Sequence, residues 1–437
     1  MSEQAELSCD VLVVGGGPAG STAAALLAEA GRDVIVVEKD AHPRFHIGES
    51  LLPRNQAVIK RLGLFEEVAA LGVHKPGAEF VSDDTGRSAP YSFGNALNKS
   101  HTFAWQVRRA DFDALLFANA RRKGARTMER TRVKDVQFAE RGGRAEVAAT
   151  GPDGEALRIR PRFVLDATGR DALLAGRMQV KDANKRTNTA ATYAHFHGVE
   201  QRTGELEGYI TVHLTRDGWF WVIPLPDGVT SVGFVGNQAA YKGRQGTPQA
   251  MFLDRIAQSP TLRPRMARAE LASEIVSTGN YSYRARAGHG DGYMMIGDAY
   301  GFVDPMFSTG VLFAMTGGEL GAEAVDTWLD NPAKGRALCA KAGRDLARAM
   351  DRITWMISRI NDPVLRTLFF APRNTLWMRD GIVNMLAGNL TWDPRAVIPV
   401  LSFKTVYHIT RLLDRTGFGP RLPEKQPAAT AALAPAE

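Results

Sequence analysis

The chain has 437 residues, long enough for one large core and at least one further domain. Its two cysteines, Cys9 and Cys339, lie far apart and offer neither a zinc-ligand spacing nor a disulfide framework, so a reducing, cytoplasmic setting is expected and no metal site is. The formal charge of +7 is modest for this length and comes without a familiar nucleic-acid-binding module; no apolar run approaches the ~20 residues a membrane helix needs, and no leader pattern opens the sequence.

In chain order, Asp10–Val14 is a short apolar run bounded by glycines, as a buried parallel strand would be. Ser21–Ala30, rich in alanine and leucine, favours helix; Gly31 ends it, and Asp33–Val37 follows as a second strand, completing a βαβ unit. Arg144–Thr150 and Leu157–Leu165 read as a strand hairpin. Tyr209–Leu214, Trp219–Ile223 and Thr230–Val235 read as antiparallel strands with a turn at Asp227-Gly228. Tyr293–Ala299 is again an apolar strand running into a glycine turn and a helix. From about Pro332 the pattern turns helical, with Arg344–Arg359 amphipathic, and Lys425–Glu437 is rich in proline and alanine, as disordered tails are.

These elements imply an α/β protein. A Rossmann-like nucleotide-binding domain takes residues 1–74, 105–180 and 280–331. An antiparallel-sheet substrate domain is inserted as 75–104 and 181–279. A helical C-terminal region covers 332–424, and a disordered tail 425–437.

The first turn carries chemistry. Gly15-Gly-Gly17-Pro-Ala19-Gly20 matches G-x-G-x-x-G and sits between a strand and a helix, where that fingerprint works. Gly15 permits the tight turn, Gly17 lets a pyrophosphate approach the backbone, and Gly20 allows close packing of helix on strand. The helix N-terminus favours the phosphate charge. Glu38, at the end of the second strand, stands near the position of a ribose-binding carboxylate, and Ala19 and Lys39 complete the local set of cofactor-binding candidates.

Other segments narrow the cofactor. Val164-Leu-Asp-Ala-Thr-Gly-Arg170 and Ile296-Gly297-Asp298 resemble the second and third FAD-contacting motifs of the aromatic-hydroxylase-like flavoproteins, and Arg109 resembles an arginine of that family near the cofactor. Trp219-Phe-Trp221-Val-Ile223-Pro224 resembles the W-x-W-x-I-P signature of flavin-dependent halogenases, and Phe302-Val-Asp-Pro305-Met-Phe-Ser308-Thr309-Gly310 their F-x-x-P-x-x-S-x-G. Gly48-Glu-Ser50 resembles a loop of the same group and of its reductase relatives. The resemblance covers roughly residues 8 to 330.

That resemblance implies that reduced FAD and oxygen form a C4a-hydroperoxide, that halide (chloride or bromide) turns it into hypohalous acid, and that a lysine at the end of a tunnel either hydrogen-bonds this acid or becomes a haloamine. Lys75, in Val-His-Lys75-Pro-Gly-Ala-Glu-Phe, resembles that lysine, and burial would depress its pKa toward neutrality. Ser308, Thr309 and Gly310 resemble the halide site, and Ser50 belongs with the cofactor contacts. Trp219, Trp221, Ile223, Pro224, Phe302 and Pro305 would shape the flavin environment and the tunnel, although alternate tryptophans on a strand are also what a core requires.

Tryptophan-specific members carry a glutamate where this chain has Phe307, which points instead to a phenol or pyrrole, free or held on an acidic acyl or peptidyl carrier protein that a basic surface would suit. Reduced flavin would come from a separate reductase, since no second dinucleotide fingerprint is evident. The competing expectation is a non-halogenating FAD-dependent monooxygenase or prenyl-reductase-like enzyme. His195 and His197 alternate on a strand and are expected as core or pocket polar residues.

Overall fold

The computed structural model describes residues 5–139, 143–183, 189–242, 246–279, 282–370, 377–390 and 394–416; the expected tail, 425–437, lies outside them. The α/β class holds. The strand Ala5–Val14 lies between Val34–Val37 and Ala156–Asp166, parallel to both, and Tyr293–Met295 and Arg126–Met128 extend the sheet in parallel on either side. Val11 to Val13 and Val34 to Val37 are almost completely buried. Both faces of this sheet are covered, so its strands read as unbroken apolar runs rather than alternating ones. The hairpin Arg132–Gln137/Glu146–Thr150 pairs antiparallel onto the first half of Ala156–Asp166.

A second sheet gathers Thr189–His197, Thr230–Asn237, Gly218–Pro224, Ile210–Leu214, Gly77–Ser82 and Ser88–Ser92. Its pairings are antiparallel except one: Ile210–Leu214 runs parallel to Gly77–Ser82. Alternation along the strands gives it two unlike faces. One carries Phe80, Val212, Tyr193, Trp219 and Trp221 into the main core. The other carries Phe220, Val222 and Phe234 under the helix Pro248–Gln258.

A helix of 21 residues, Gly310–Asp330, precedes the Pro332–Ile357 helix. It is the helix expected after the Tyr293–Ala299 turn, begun eleven residues later; Gly317, Gly318 and Gly321 lower its intrinsic helix propensity. Their role is close packing: a Cβ on Gly318 would lie 2.5 Å from the carbonyl oxygen of Ala19, and one on Gly321 would lie 3.1 Å from Ile296. The helix therefore lies directly against the first helix, Pro18–Glu29. Asn331 caps the next helix, its side chain accepting from the Lys334 N–H with Pro332 at the first helical position.

The same substitution is thus expected to act with opposite sign at two helical glycines. Gly176→Ala, where nothing lies within 4 Å, is expected to stabilise by about 0.5–1 kcal/mol. Gly318→Ala is expected to destabilise by about 1–2 kcal/mol despite the same propensity gain. Thermal melting of the two variants checks this, and a rise in Tm for both would show that the two helices have room to separate.

Candidate active site

The dinucleotide fingerprint folds as its spacing requires. Gly15 has φ +108°, and a Cβ there would sit 2.3 Å from the carbonyl oxygen of Ala167. A Cβ on Gly20 would lie 1.9 Å from the Gly15 oxygen, whereas one on Gly17 would meet only the Arg44 guanidinium at 3.6 Å. So Gly15 and Gly20 hold helix to strand, and Gly17 faces open space at the helix N-terminus, which no side chain caps. A cleft of about 490 Å³ opens there, lined by Gly15, Gly17, Ala19, Glu38 and Lys39 among others. Uncapped N–H groups beside an open glycine fit a pyrophosphate, and the cleft fits the FAD that the motifs imply.

Glu38 is buried; its Oε2 accepts the Gly16 N–H at 2.8 Å and its Oε1 accepts the Asp40 N–H at 3.0 Å. Lys39 reaches across the rim to Asp171 at 2.5 Å. Gly297, at φ +58°, would bring a Cβ within 2.9 Å of Ala19, and this close approach delivers Asp298 to the cleft. Burial pushes the Asp298 carboxyl up to about 6, against the pull of Arg109 and Arg170.

Arg109 is buried and forked onto Asp113 at 2.8 and 2.9 Å, with Nη1 donating to the Ile47 carbonyl at 2.7 Å. Asp166 does not line the cleft. It accepts from the Thr168 N–H and hydroxyl and from the Leu174 N–H, so it holds the turn that places Ala167 to Gly169 there.

Arg170, the last residue of the second FAD-like motif, lines the cleft, and several lining residues escaped the sequence reading: Arg44, Phe45, His46 and Thr131. Arg44 sits between Glu38 (3.4 Å) and Asp113 (3.5 Å), over the open side of Gly17. The one sequence signal for it was a basic residue four positions before the Gly48-Glu-Ser50 loop. His46, pressed by burial and then by Arg109, has its imidazole pushed down to about 4.

Lys75 is fully buried, 1% exposed, and its Nζ donates to the Leu51 carbonyl at 2.8 Å and lies 5.3 Å from the centre of the Phe93 ring. With no acid among its perturbing groups, desolvation alone pushes its pKa down to about 7. It ends the strand Gly72–Lys75, which pairs with Ala104–Val107; Pro76 and Gly77 then carry the chain into the second sheet. A Cβ on Gly77 would strike the Tyr209 ring at 2.4 Å, so the Lys-Pro-Gly sequence fits a crowded joint between two sheets.

Residues 47–51 link the two halves of the site. The Ile47 carbonyl holds Arg109 and the Leu51 carbonyl holds Lys75, while Glu49 and Leu51 hydrogen-bond the backbone of Val107 and Trp105. Glu49 is buried and meets His195 at 2.7 Å, its Oε2 unpartnered. Ser50 is buried beside it, off the cleft lining, with its hydroxyl unpartnered. His197 is exposed and apart from this pair.

Trp219 and Trp221 are packed 5.9 Å apart on the core face, and Gly233 leaves the room that the Trp221 indole fills. Trp221 Nε1 donates to Ser231 at 3.0 Å. Neither tryptophan, nor Ile223 or Pro224, lines the dinucleotide cleft. In the other signature, Asp304 caps the turn Pro305–Phe307, Ser308 takes φ +56°, and Thr309 is buried with its hydroxyl unpartnered. Gly310 opens the long helix and lines the cleft, with Phe302 beside it; Phe307 packs on Phe80 at 6.0 Å. Among the described residues no cluster of His, Cys, Asp and Glu is placed to hold a metal, and no helix is long and apolar enough to cross a membrane.

Arg109→Ala strips Asp113 of its forked partner in a buried setting. It is expected to cost about 3–5 kcal/mol in urea denaturation of the FAD-free protein, with part recovered in the Arg109→Ala/Asp113→Ala double variant. Equal losses in the single and double variants would mean that the unpaired carboxylate is not the cause.

The FAD binding domain family matches residues 8–317. A tryptophan 2-halogenase of Chondromyces crocatus is 36% identical over 325 residues, covering 73% of this chain and 61% of that protein; the chain spans 61 to 64% of the length of several such halogenase relatives. A 1H-pyrrole-2-carbonyl-[peptidyl-carrier protein] brominase of Pseudoalteromonas luteoviolacea is 32% identical, covering 74% of this chain and 78% of the relative. The solved structure of a flavoprotein/dehydrogenase of Cytophaga hutchinsonii superposes with a TM-score of 0.84 at 29% identity, covering 93% of this chain and all of that one. With the fingerprint cleft, both signatures and these relatives in agreement, the chain belongs to the FAD-binding flavin-dependent halogenases.

Proposed function

We propose that this protein uses FADH2 and O2 to place chloride or bromide on an electron-rich aromatic substrate, phenolic or pyrrolic, with Lys75 guiding the hypohalous acid. The observation that carries this reading is Lys75 itself: a lysine wholly removed from water, with its amine near neutrality and no acid to hold its charge. A structural lysine would be exposed or paired with a carboxylate. When bound and reduced, FAD would supply two electrons to O2, bringing it to the peroxide level that oxidises halide to hypohalous acid.

The chain's own residues divide the remaining work. Gly15, Gly17, Ala19 and Gly20 receive the pyrophosphate; Glu38 and Lys39 bound the adenosine side; Arg109, Gly297 and Asp298 flank the flavin side, with Ser50 on the adjoining loop. The left-handed Ser308 turn, the Thr309 hydroxyl and the N–H groups at Gly310 hold the halide at a helix N-terminus. Trp219, Trp221, Ile223, Pro224, Phe302 and Pro305 exclude water and keep the oxidant on its path. The neutral Lys75 amine takes the halogen, and its proton leaves with water as a haloamine forms. The Leu51 carbonyl holds Nζ in place for that step.

Where the relatives' names give a substrate, it is tryptophan or a pyrrolyl group on a carrier protein. Phe307, buried against Phe80 where tryptophan-specific members have an acid, favours the second class. The net charge of +7 suits an acidic carrier protein bearing the substrate. A separate reductase supplies the reduced flavin.

Mass spectrometry tests the reaction on phenols and pyrroles, free and carrier-tethered, with FAD, a flavin reductase, NADH and bromide. The native protein is expected to give a bromine isotope doublet, and Lys75→Met to lower it at least about a hundredfold while retaining FAD. Hydroxylated or reduced product that survives the substitution would instead favour the monooxygenase or reductase reading.

The buried amine also sets a stability test. Because its folded pKa lies below that of an exposed lysine, the unfolded chain binds the extra proton between about pH 7 and 10.5. Wild-type stability is therefore penalised below pH 7 and relieved as pH rises through that window. Lys75→Met is expected to be more stable than wild type by a few kcal/mol, about 3–5, at pH 6, with the difference fading toward pH 10 in urea titrations. A difference independent of pH would place a stable charge on Lys75 and remove the haloamine step.

A further inference from the structure

A second cleft, of about 740 Å³, is larger than the dinucleotide cleft and shares no lining residue with it. It lies between the strands Tyr283–Ala285 and Gly301–Phe302 and one face of the helix Pro332–Ile357. The helix contributes Ala340, Gly343, Ala347, Met350 and Thr354, spaced three and four residues apart and so on one face. Three of these are alanine or glycine, which is why space remains between helix and sheet. A Cβ on Gly343 would meet only His289, at 3.7 Å. The volume is in the range of small-molecule sites.

The lining is aromatic on one side and basic on the other. Tyr300 and Phe302 supply rings, and the Tyr300 hydroxyl donates to the Gly343 carbonyl at 3.4 Å, fixing the strand side to the helix. Three arginines face two aspartates. Arg284 is taken by Asp351 at 2.9 Å and Arg286 by Asp182 at 2.6 Å. Arg344 has no ion pair with the described residues and stands near His289, whose pKa burial and then Arg344 lower. One positive charge is thus left over, next to a half-buried imidazole and an aromatic floor.

We infer that this cleft is a second ligand site, for an aromatic anion that lays its ring against Tyr300 and Phe302 and its acid group against Arg344 and His289. The aspartates do not oppose this, because each is already neutralised by its own arginine. The site stands whether or not the halogenation reading does. It also reaches the cofactor side: Phe302 lies 3.3 Å from where a Gly310 Cβ would be, and Gly310 lines the dinucleotide cleft. A ligand on Phe302 therefore touches the segment that leads to that cleft.

The test uses the FAD-loaded protein and 1-anilinonaphthalene-8-sulfonate as probe, followed by fluorescence. Saturable binding of one probe per chain is expected, weakened at least about tenfold by Arg344→Glu and abolished by Ala347→Trp, which fills the cleft. Both variants should keep the FAD content and Tm of the wild type; Arg344→Glu, on an exposed side chain, serves if the tryptophan variant fails to fold. Phenyl phosphate and benzoate should displace the probe, and inorganic phosphate at equal concentration should not. The proposal fails if the probe does not bind. It fails equally if neither variant weakens binding, as it would for a probe on the exposed stripe Ile398, Leu401, Ile409 and Leu412 of the last helix. Equal binding of the neutral N-phenyl-1-naphthylamine, undiminished by Arg344→Glu, would overturn the anionic half, and displacement by bare phosphate the aromatic half.

Discussion

The hydrogen bond from Lys75 to the Leu51 carbonyl is the contact around which the candidate site is organised. A buried amine must have a partner or be neutral, and here a backbone oxygen, not a carboxylate, provides one. That choice leaves the amine poised between charged and neutral forms. It also makes the lysine's position depend on residues 47–51, which are fixed in turn by the backbone of Trp105 and Val107 and by Arg109 at their other end. Cofactor side and lysine side are thus held by the same short run of chain.

Electrostatics differ sharply along that run. At the dinucleotide end, Arg109, Arg44, Asp113 and Glu38 form a buried network in which each charge has an opposite neighbour. Such a network is costly to break and fixes geometry. At the Lys75 end no counter-charge is present among the groups that perturb it, and desolvation alone sets the pKa. One end is built for permanent charges and the other for a group that changes its state.

Glycine serves two ends in the same molecule. At Gly15 and Gly20 it lets helix and strand backbones approach, and at Gly318 it lets a second helix lie on the first. These contacts carry the N-terminus of Gly310–Asp330 to the cleft, where Gly310 joins the lining. At Gly343 the missing side chain leaves space rather than contact, and a second cleft results.

Features that depend on local pattern were legible in the chain before it was folded. The βαβ unit and the strand hairpin followed from apolar runs and turn residues, and the glycine fingerprint was legible because its spacing is itself the mechanism. The tryptophans of Trp219–Pro224 were expected to share one strand face, as the period of two requires, and they do. Features that depend on partners distant in sequence emerged only from the folded chain. A helix was expected after the Tyr293–Ala299 turn, but the bounds of Gly310–Asp330 were not legible, because its glycines oppose helix locally and are offset only by packing. Lysines are exposed by default, so the burial of Lys75 could be supposed from the resemblance but not read from its neighbours. Arg44 met Glu38 and Asp113, and Glu49 met His195 across 146 positions, through chain folding that no local period encodes. The second cleft is a gap between a helix and a sheet, and a gap has no residues of its own to announce it.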